Sequence, residues 1–588
     1  MRHRAASSRI CSLTIVALAA WSLANAAELA GTIVDLNGKP LGGAQVSLTK
    51  ADDAPGASVV TVFSDAAGRF VFPDPVADAP TLSARVHARL LGYEPVRISR
   101  REDSPQEITI ILRATPNEAQ VVPASAWLKR IGDRAEKSHF INTCIGCHQV
   151  PSAFVRNYAG LIARTDAADP AAARRQSWLA IARYMNYLWS WEFSRGNPST
   201  PVDPEGAYAV GPGERIADTM SRHFTDSMDD IRGYDYGAPV IATADTVIRE
   251  YEVARPNAIR EAMLLGKPKH LWVADVASND IIEIDPASGA QKAHPVPYDG
   301  ASGPHSLHRA ADGSLWITPF FPSVIARLDP VEGSWRTWPM LTDKGETIGI
   351  HDLSFGARHE LMTDDKGLLW YSDIANSAVG WFDPGTGSEG IYRAPEIPGR
   401  PDAGAELYGL VMTSDRKHIW YSQLGIGSFG SFNVETREFE TRVVLPDADA
   451  GPRRLTISDD DILYVPLYGA GQLIEYDTRA GKLLGQYDLP DTGSAPYSVT
   501  WDPVRKVVWV ATSNADVIYR FDPQTKRFGV LPLPRTGAFL RMIDVDPESG
   551  VLVTSYANIV EFVPGPRMAL IIEPGDGAYA RPLASAAP

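Results

Sequence analysis

The feature that most restricts what this chain can fold into is a repeat. After about Val247 one unit recurs seven times: an apolar pair ending in Trp or Tyr, a few polar residues, then an apolar strand closing on Asp-Pro or a similar turn. The markers are Trp272, Trp316, Trp370, Trp420, Tyr464, Trp509 and Leu552, and by subtraction they stand 44, 54, 50, 44, 45 and 43 residues apart. The matching turns begin at Asp285, Asp329, Asp383, Asn433, Asp477 and Asp522. A period of about 45 residues holding several short strands is that of propeller blades, each burying its apolar strands against its neighbours around an axis. Seven markers predict a seven-bladed β-propeller over 245–575. The last unit, VLVTSYANIVEFVPG, lacks an outer strand, and Val247-Ile248-Arg249-Glu250-Tyr251-Glu252 stands before the first, so joining the two closes the ring. After Gly575 no strand pattern is left, and 576–588 reads as a disordered tail.

At 588 residues the chain is long for one domain. Residues 1–27 read as a signal peptide: Arg2, Arg4 and Arg9, an apolar run from Cys11 to Ala20, then the small-residue site Ala24-Asn25-Ala26. Its removal takes away three arginines and no acid, so the formal charge of −15 becomes −18. A chain that acidic is not a partner for nucleic acid or an anionic membrane surface. The expected location is periplasmic or secreted. Of three cysteines, Cys11 leaves with the signal, and Cys144 and Cys147 cannot make a disulfide framework. No later run is long and apolar enough to span a bilayer.

Residues 28–114 alternate apolar and polar positions between Gly, Asp and Pro turns, which predicts a small β-sandwich. GTIVDLNGKPLGGAQVSL, TVFSDAAGRFVFPD and ARLLGYEPVRI resemble the carboxypeptidase regulatory-like module. The resemblance implies a carbohydrate-binding-like fold acting as a spacer or adhesion unit, with glycan contact as the alternative.

From 117 to 237 the pattern turns helical. Leu128, Ile131 and the run to His148 suit one helix, Trp178, Ile181, Met185 and Leu188 a second, and Ile216, Met220 and Phe224 a third. Within SHFINTCIGCHQVP stands Cys144-Ile145-Gly146-Cys147-His148. Two thiols at this spacing can each add to a vinyl group of one haem, and the imidazole that follows lies under the iron as its proximal ligand. A redox CxxC would need a βαβ context and a zinc site two more Cys or His at finger spacing, and neither pattern is nearby. The expectation is a small α-helical cytochrome c domain carrying covalent haem c. The loop Asn197–Gly213 holds no Met, so the sixth ligand is sought among Met185, Met220, Met228 and His223, with Met185 first because it follows Trp178 on one helix face.

Around the axis of the repeat, equivalent positions form rings. Eleven residues before the markers stand Glu261, His305, His359, Arg453 and Arg541, and one inserted residue brings in Tyr408 and Tyr497. A core would select Val, Ile or Leu there. A second ring, three after the markers, is Asp275, Pro319, Asp373, Gln423, Leu467, Thr512 and Ser555. The units PHSLHRAADGSLWIT and RHELMTDDKGLLWYSD resemble the streptogramin (virginiamycin B) lyase propeller over all seven blades. The resemblance implies elimination opening of a cyclic depsipeptide with Mg²⁺, His359 as general base, His305 as substrate contact and Asp373 in the place of the family's acid. Asp373 is one methylene short of that Glu, and Ala357 stands where the family carries a metal-binding Glu, so a hard cation loses a carboxylate.

Three functions follow. The first is an exported c-type haem protein passing electrons between a redox partner protein and a small molecule in the propeller funnel. The second is a streptogramin-type lyase with the haem segment as accessory. The third is a non-enzymatic carbohydrate- or partner-binding protein. Haem favours the first, because elimination needs no redox group.

Overall fold

The computed structural model describes residues 29–575 apart from 51–57, 74–83, 102–103, 106, 165, 195–212, 227, 254–258, 299–302, 311, 320–323, 340–349, 355–367, 375, 401–405 and 559–565. The side chains of 50, 186–194 and 350–354 are also outside the description. The expected signal peptide, the tail 576–588, His359 and Ala357 therefore lie outside the described residues.

The chain is mainly β. Six sheets have four strands in chain order, each antiparallel to the last, as in Pro304–Arg309, Leu315–Pro319, Val324–Leu328 and Trp335–Pro339. The second strand is buried along its whole length while the fourth is half-buried to exposed throughout, as expected for sheets stacked face to face with one wet edge. Successive first strands touch, from Ile259–Leu265 against Pro304–Arg309 round to Ile543–Val545, which returns to Ile259–Leu265. All seven second strands end three residues after their marker, at Asp275, Pro319, Asp373, Gln423, Leu467, Thr512 and Ser555.

Two parts of the expected architecture are corrected. The ring is not a self-contained seven-bladed propeller beside a separate sandwich, because its last sheet has eight strands. Val247–Glu252 pairs on one edge with Met568–Glu573 and on the other with Ser58–Phe63 of the N-terminal segment. Ser58–Phe63 is apolar on both faces, so each face needs its own cover. Val59 and Phe63 pack with Ile248 and Leu570 of the ring, whereas Val60 and Val62 pack with Ile33 and Val46. Glu250, fully buried on the shared strand, is held by Arg535 at 3.1 Å and by the Tyr556 hydroxyl at 2.9 Å.

The second correction is that the helices do not form a distinct cytochrome c domain. They are α1 (Arg134–Cys144), α2 (Ala153–Ile162), α3 (Pro170–Ser194) and α4 (Gly213–His223). Trp127, Phe140, Ile145, Trp178 and Met220 share one core with Tyr408, Tyr468, Tyr497 and Phe539 of the ring. Short helices bury too little apolar surface among themselves, and the ring supplies the rest. Glycines allow the close approach: a Cβ on Gly469 would fall 2.0 Å from the Asp449 carbonyl and 2.8 Å from that of Ser138, and Gly451 (φ +64°) leaves room for Asn142. Among the described residues no helix is long and apolar enough to cross a membrane.

Candidate functional site

The haem-type motif begins where α1 stops. Asp133 caps the helix by accepting from the Glu136 N–H at 2.7 Å, and Cys144 is its last residue. Ion pairs fix α1 to ring loops: Arg134 bonds Asp488 at 3.0 and 2.9 Å, and His139 Nδ1 lies 3.1 Å from Asp449 Oδ2. The following residues are bonded to the ring one by one. Tyr468 donates to the Ile145 carbonyl, and Arg541 Nη2 donates to that of Gly146 at 2.9 Å. Gln149 Nε2 donates to Asp516 Oδ1 at 2.7 Å and to the Ala538 carbonyl at 2.6 Å.

His148 is buried, with Nδ1 2.7 Å from the Gln149 carbonyl. A carbonyl only accepts, so Nδ1 carries the proton and Nε2 keeps its lone pair. That is the tautomer of a metal-ligating imidazole fixed by its second nitrogen. Burial lowers the His148 pKa against the opposing Gln149 bond and favours the neutral ring. Burial pushes the Cys144 thiol up to about 12, the opposite of a reactive redox thiolate, and no disulfide joins it to Cys147. These residues would suit a covalent haem, held by the sulfurs of Cys144 and Cys147 and by His148 Nε2. Met220 and Met228 are buried in the shared core, Met185 is only half-buried on α3, and His223 Nε2 lies 3.3 Å from Glu136. Among the described residues there is no group of three or more His, Cys, Asp or Glu that could hold a metal ion.

Strand register defines the axial ring more finely than counting from the markers. In the first strand of several sheets one extra residue bulges opposite the end of the second strand, a device that re-aims a side chain. Pro304 pairs with Pro319 and Ser306 with Thr318, leaving His305 as the extra residue, and Tyr408 and Tyr497 follow Leu407 and Pro496 in the same way. Arg453 follows Pro452, which bridges Leu467. In the first sheet this place belongs to Arg260, one before the expected Glu261. In the third, Ile350 pairs with Asp373 and Asp352 with Ser372, so the backbone gives the place to His351.

His305 is buried, its Nδ1 3.1 Å from Ser306 Oγ and 3.9 Å from Glu261 Oε1. Glu261 also accepts from Ser306 Oγ and the Leu307 N–H, each at 2.9 Å, and pairs with Arg454 from the fifth sheet. Asp373 ends its strand on the same rim as His305, with its two oxygens accepting from Asn376 at 3.0 and 2.7 Å. Across the axis the Tyr408 and Tyr497 hydroxyls meet, and Arg453 lies 3.8 Å from the Tyr468 ring centroid and 4.5 Å from that of Tyr497. Burial pushes the Tyr497 hydroxyl up, but Arg541, Arg453 and Arg454 bring it down to about 8. Tyr468 and Arg541 belong both to this cluster and to the anchors of the CxxCH segment. Tyr468, Arg454, Ser306, Gln149 and Asn514 escaped the sequence reading. Only Tyr468 carried a signal, standing one residue past the second ring.

Residues 28–113 match the carboxypeptidase regulatory-like domain model. No curated protein matches the chain. Among solved structures, a virginiamycin B lyase from Staphylococcus aureus is similar at 16% identity and a TM-score of 0.45, covering 54% of this chain and 95% of that one. A streptogramin B lyase is similar at 17% identity and 0.46, covering 56% and 98%. Likeness of this extent carries no statement about activity.

Proposed function

We propose that this chain is an exported haem protein in which haem c, which Cys144, Cys147 and His148 would hold, serves electron exchange between a redox partner protein and a small molecule on the ring axis. The observation that carries the reading is the anchoring of the CxxCH segment by Tyr468 and Arg541, which themselves belong to the axial cluster. Bound there, haem supplies one-electron chemistry at its iron. The chain's residues do the rest. Gln149 orients the imidazole, Tyr468 and Arg541 hold the motif's carbonyls, and the shared aromatic core keeps water from the segment. A pyridine haemochrome spectrum of the purified protein tests it, followed by difference spectra with candidate ligands. A mature chain without covalent haem ends this reading.

A second reading is lyase-like elimination. The burial of His305 on the same rim as Asp373, oriented by Ser306 and Glu261, favours it as a place for proton transfer. Turnover of a cyclic ester by a haem-free Cys144→Ala/Cys147→Ala variant would support this reading over electron transfer.

A further inference from the structure

Several half-buried arginines of the ring have acidic partners. Arg454 has Glu261, Arg535 has Glu250 and Arg505 has Asp502. Arg453 and Arg541 are placed more deeply, 7% and 8% exposed, and among the described residues no carboxylate lies within 4 Å of either. The Nε of each is buried without a hydrogen-bond partner. Arg453 instead faces the rings of Tyr468, Tyr497 and Tyr408, at 3.8, 4.5 and 5.8 Å, while Arg541 faces Tyr497 and Phe539 at 5.2 and 5.9 Å. Aromatic faces attract a guanidinium but do not replace a counter-charge removed from water. Three tyrosine hydroxyls and the carboxyl of Glu406 act on Arg453, and Glu406 is pushed up to about 7 by burial and so is only partly ionised near neutrality.

We propose that Arg453 and Arg541 form a binding site for a carboxylate group on the ring axis, beside the Tyr408–Tyr497 hydroxyl pair. A guanidinium fork matches a planar carboxylate through paired N–H donors, and stacking on tyrosine holds the fork ready. A flat, singly charged group suits a dry aromatic site. Phosphate, doubly charged and strongly hydrated near neutral pH, costs more to strip of water at such a site than a singly charged carboxylate. The carboxylate has two sources, a propionate of haem bound at Cys144 and Cys147 or a free organic acid in the funnel. The proposal rests on the proposed function only in treating the funnel as a binding site.

The test is calorimetric titration at fixed ionic strength with succinate, succinamide and inorganic phosphate, on the full chain as expressed and on Cys144→Ala/Cys147→Ala. Succinate is expected to saturate at least one of them, and Arg453→Gln and Arg541→Gln each to weaken it about tenfold or more. Equal binding to both proteins identifies a free acid as the ligand. Binding confined to the Cys variant identifies a haem propionate, and Arg453→Gln then also shifts the haem midpoint potential. A chain found to carry no haem ends the haem reading and leaves this titration readable, since the two proteins are then equivalent. No saturable succinate binding to either protein, binding untouched by both Gln variants, or phosphate binding more tightly than succinate overturns the proposal. Should a Gln variant fail to fold, Arg453→Lys and the wild-type comparison decide, and succinamide binding as tightly as succinate overturns it.

Discussion

Asn514 and Val150 bond each other twice: the Val150 N–H donates to Asn514 Oδ1 at 2.9 Å and Asn514 Nδ2 donates to the Val150 carbonyl at 3.0 Å. Asn514 is fully buried, so this amide is an internal lock between the haem-type segment and the ring. Asn514→Leu strands both backbone groups of Val150, at about 1–3 kcal/mol for each group left unsatisfied. The urea midpoint should fall accordingly, with Asn514→Asp, which keeps only the acceptor, in between. An unchanged midpoint would mean that the segment is held elsewhere.

Loss of haem staining on a denaturing gel is expected for Cys144→Ala/Cys147→Ala. For the sixth ligand the sequence expectation places Met185 first, and we propose Met220 before it from the packing of the helices. Helix α4, with Met220, lies against α1, which ends at Cys144, while α3, with Met185, lies against α4. A thioether ligand gives a weak near-infrared charge-transfer band. Met220→Ala should remove that band and Met185→Ala should leave it, and the reverse result restores Met185.

Glu250 and Arg535 predict how far the eight-stranded sheet behaves as one unit. Arg535→Leu leaves the Glu250 carboxylate buried with only the Tyr556 hydroxyl, and breaking a buried pair from one side costs about 3–5 kcal/mol. Because Val247–Glu252 belongs to both the ring and the N-terminal sheet, calorimetry should show the two melting together and shifting together. Two separated transitions, only one of them moved, would show that they unfold independently.

The strand repeat was legible because its period is local: each marker lies three residues from the end of a second strand. The pairing of Ser58 with Tyr251 was not, since a strand's own pattern names its buried faces but not its edge partner. Helical spacing likewise showed which faces of 117–237 are apolar without showing that Tyr408, Tyr468 and Tyr497 cover them. The CxxCH motif could be read in five residues. Its place on the axis depends on contacts such as Arg541 to Gly146, hundreds of positions apart.

Glu406 sets a pH dependence. Burial raises its folded-state pKa to about 7 from 4.5, with Arg453 pulling the other way. Below 4.5 both states hold the proton and the contribution is full. As pH rises from there through about 7 the unfolded chain releases it first, and stability is lost. At about 1.4 kcal/mol per unit the loss is at most about 3.5 kcal/mol, and less for a side chain that is not fully buried. Glu406→Gln should flatten this part of the profile and raise the urea midpoint at about pH 8 relative to wild type. A parallel profile would assign the slope to other groups.

The third sheet separates two histidines. Counting eleven residues back from Trp370 gives His359, as the same count from Trp316 gives His305. Strand register gives His351, because Ile350 pairs with Asp373 as Pro304 pairs with Pro319 and one residue bulges after each. The counts disagree because the second sheet passes from Arg309 to Leu315 between its first two strands, whereas the third passes from Ser354 to Leu369. Bulged residues of neighbouring first strands share one level of the axis, so His351 stands in the place next to His305. In the haem-free Cys144→Ala/Cys147→Ala background, His305→Cys with His351→Cys should cross-link through a short bifunctional maleimide, and no cross-link would show that the first strand of this sheet pairs in a different register. If the funnel performs elimination, comparing His351→Ala with His359→Ala shows which of the two supplies the base, whose loss should lower turnover by about 10²–10⁴-fold. Loss of turnover at His359→Ala alone would keep the role that the repeat count assigns to His359.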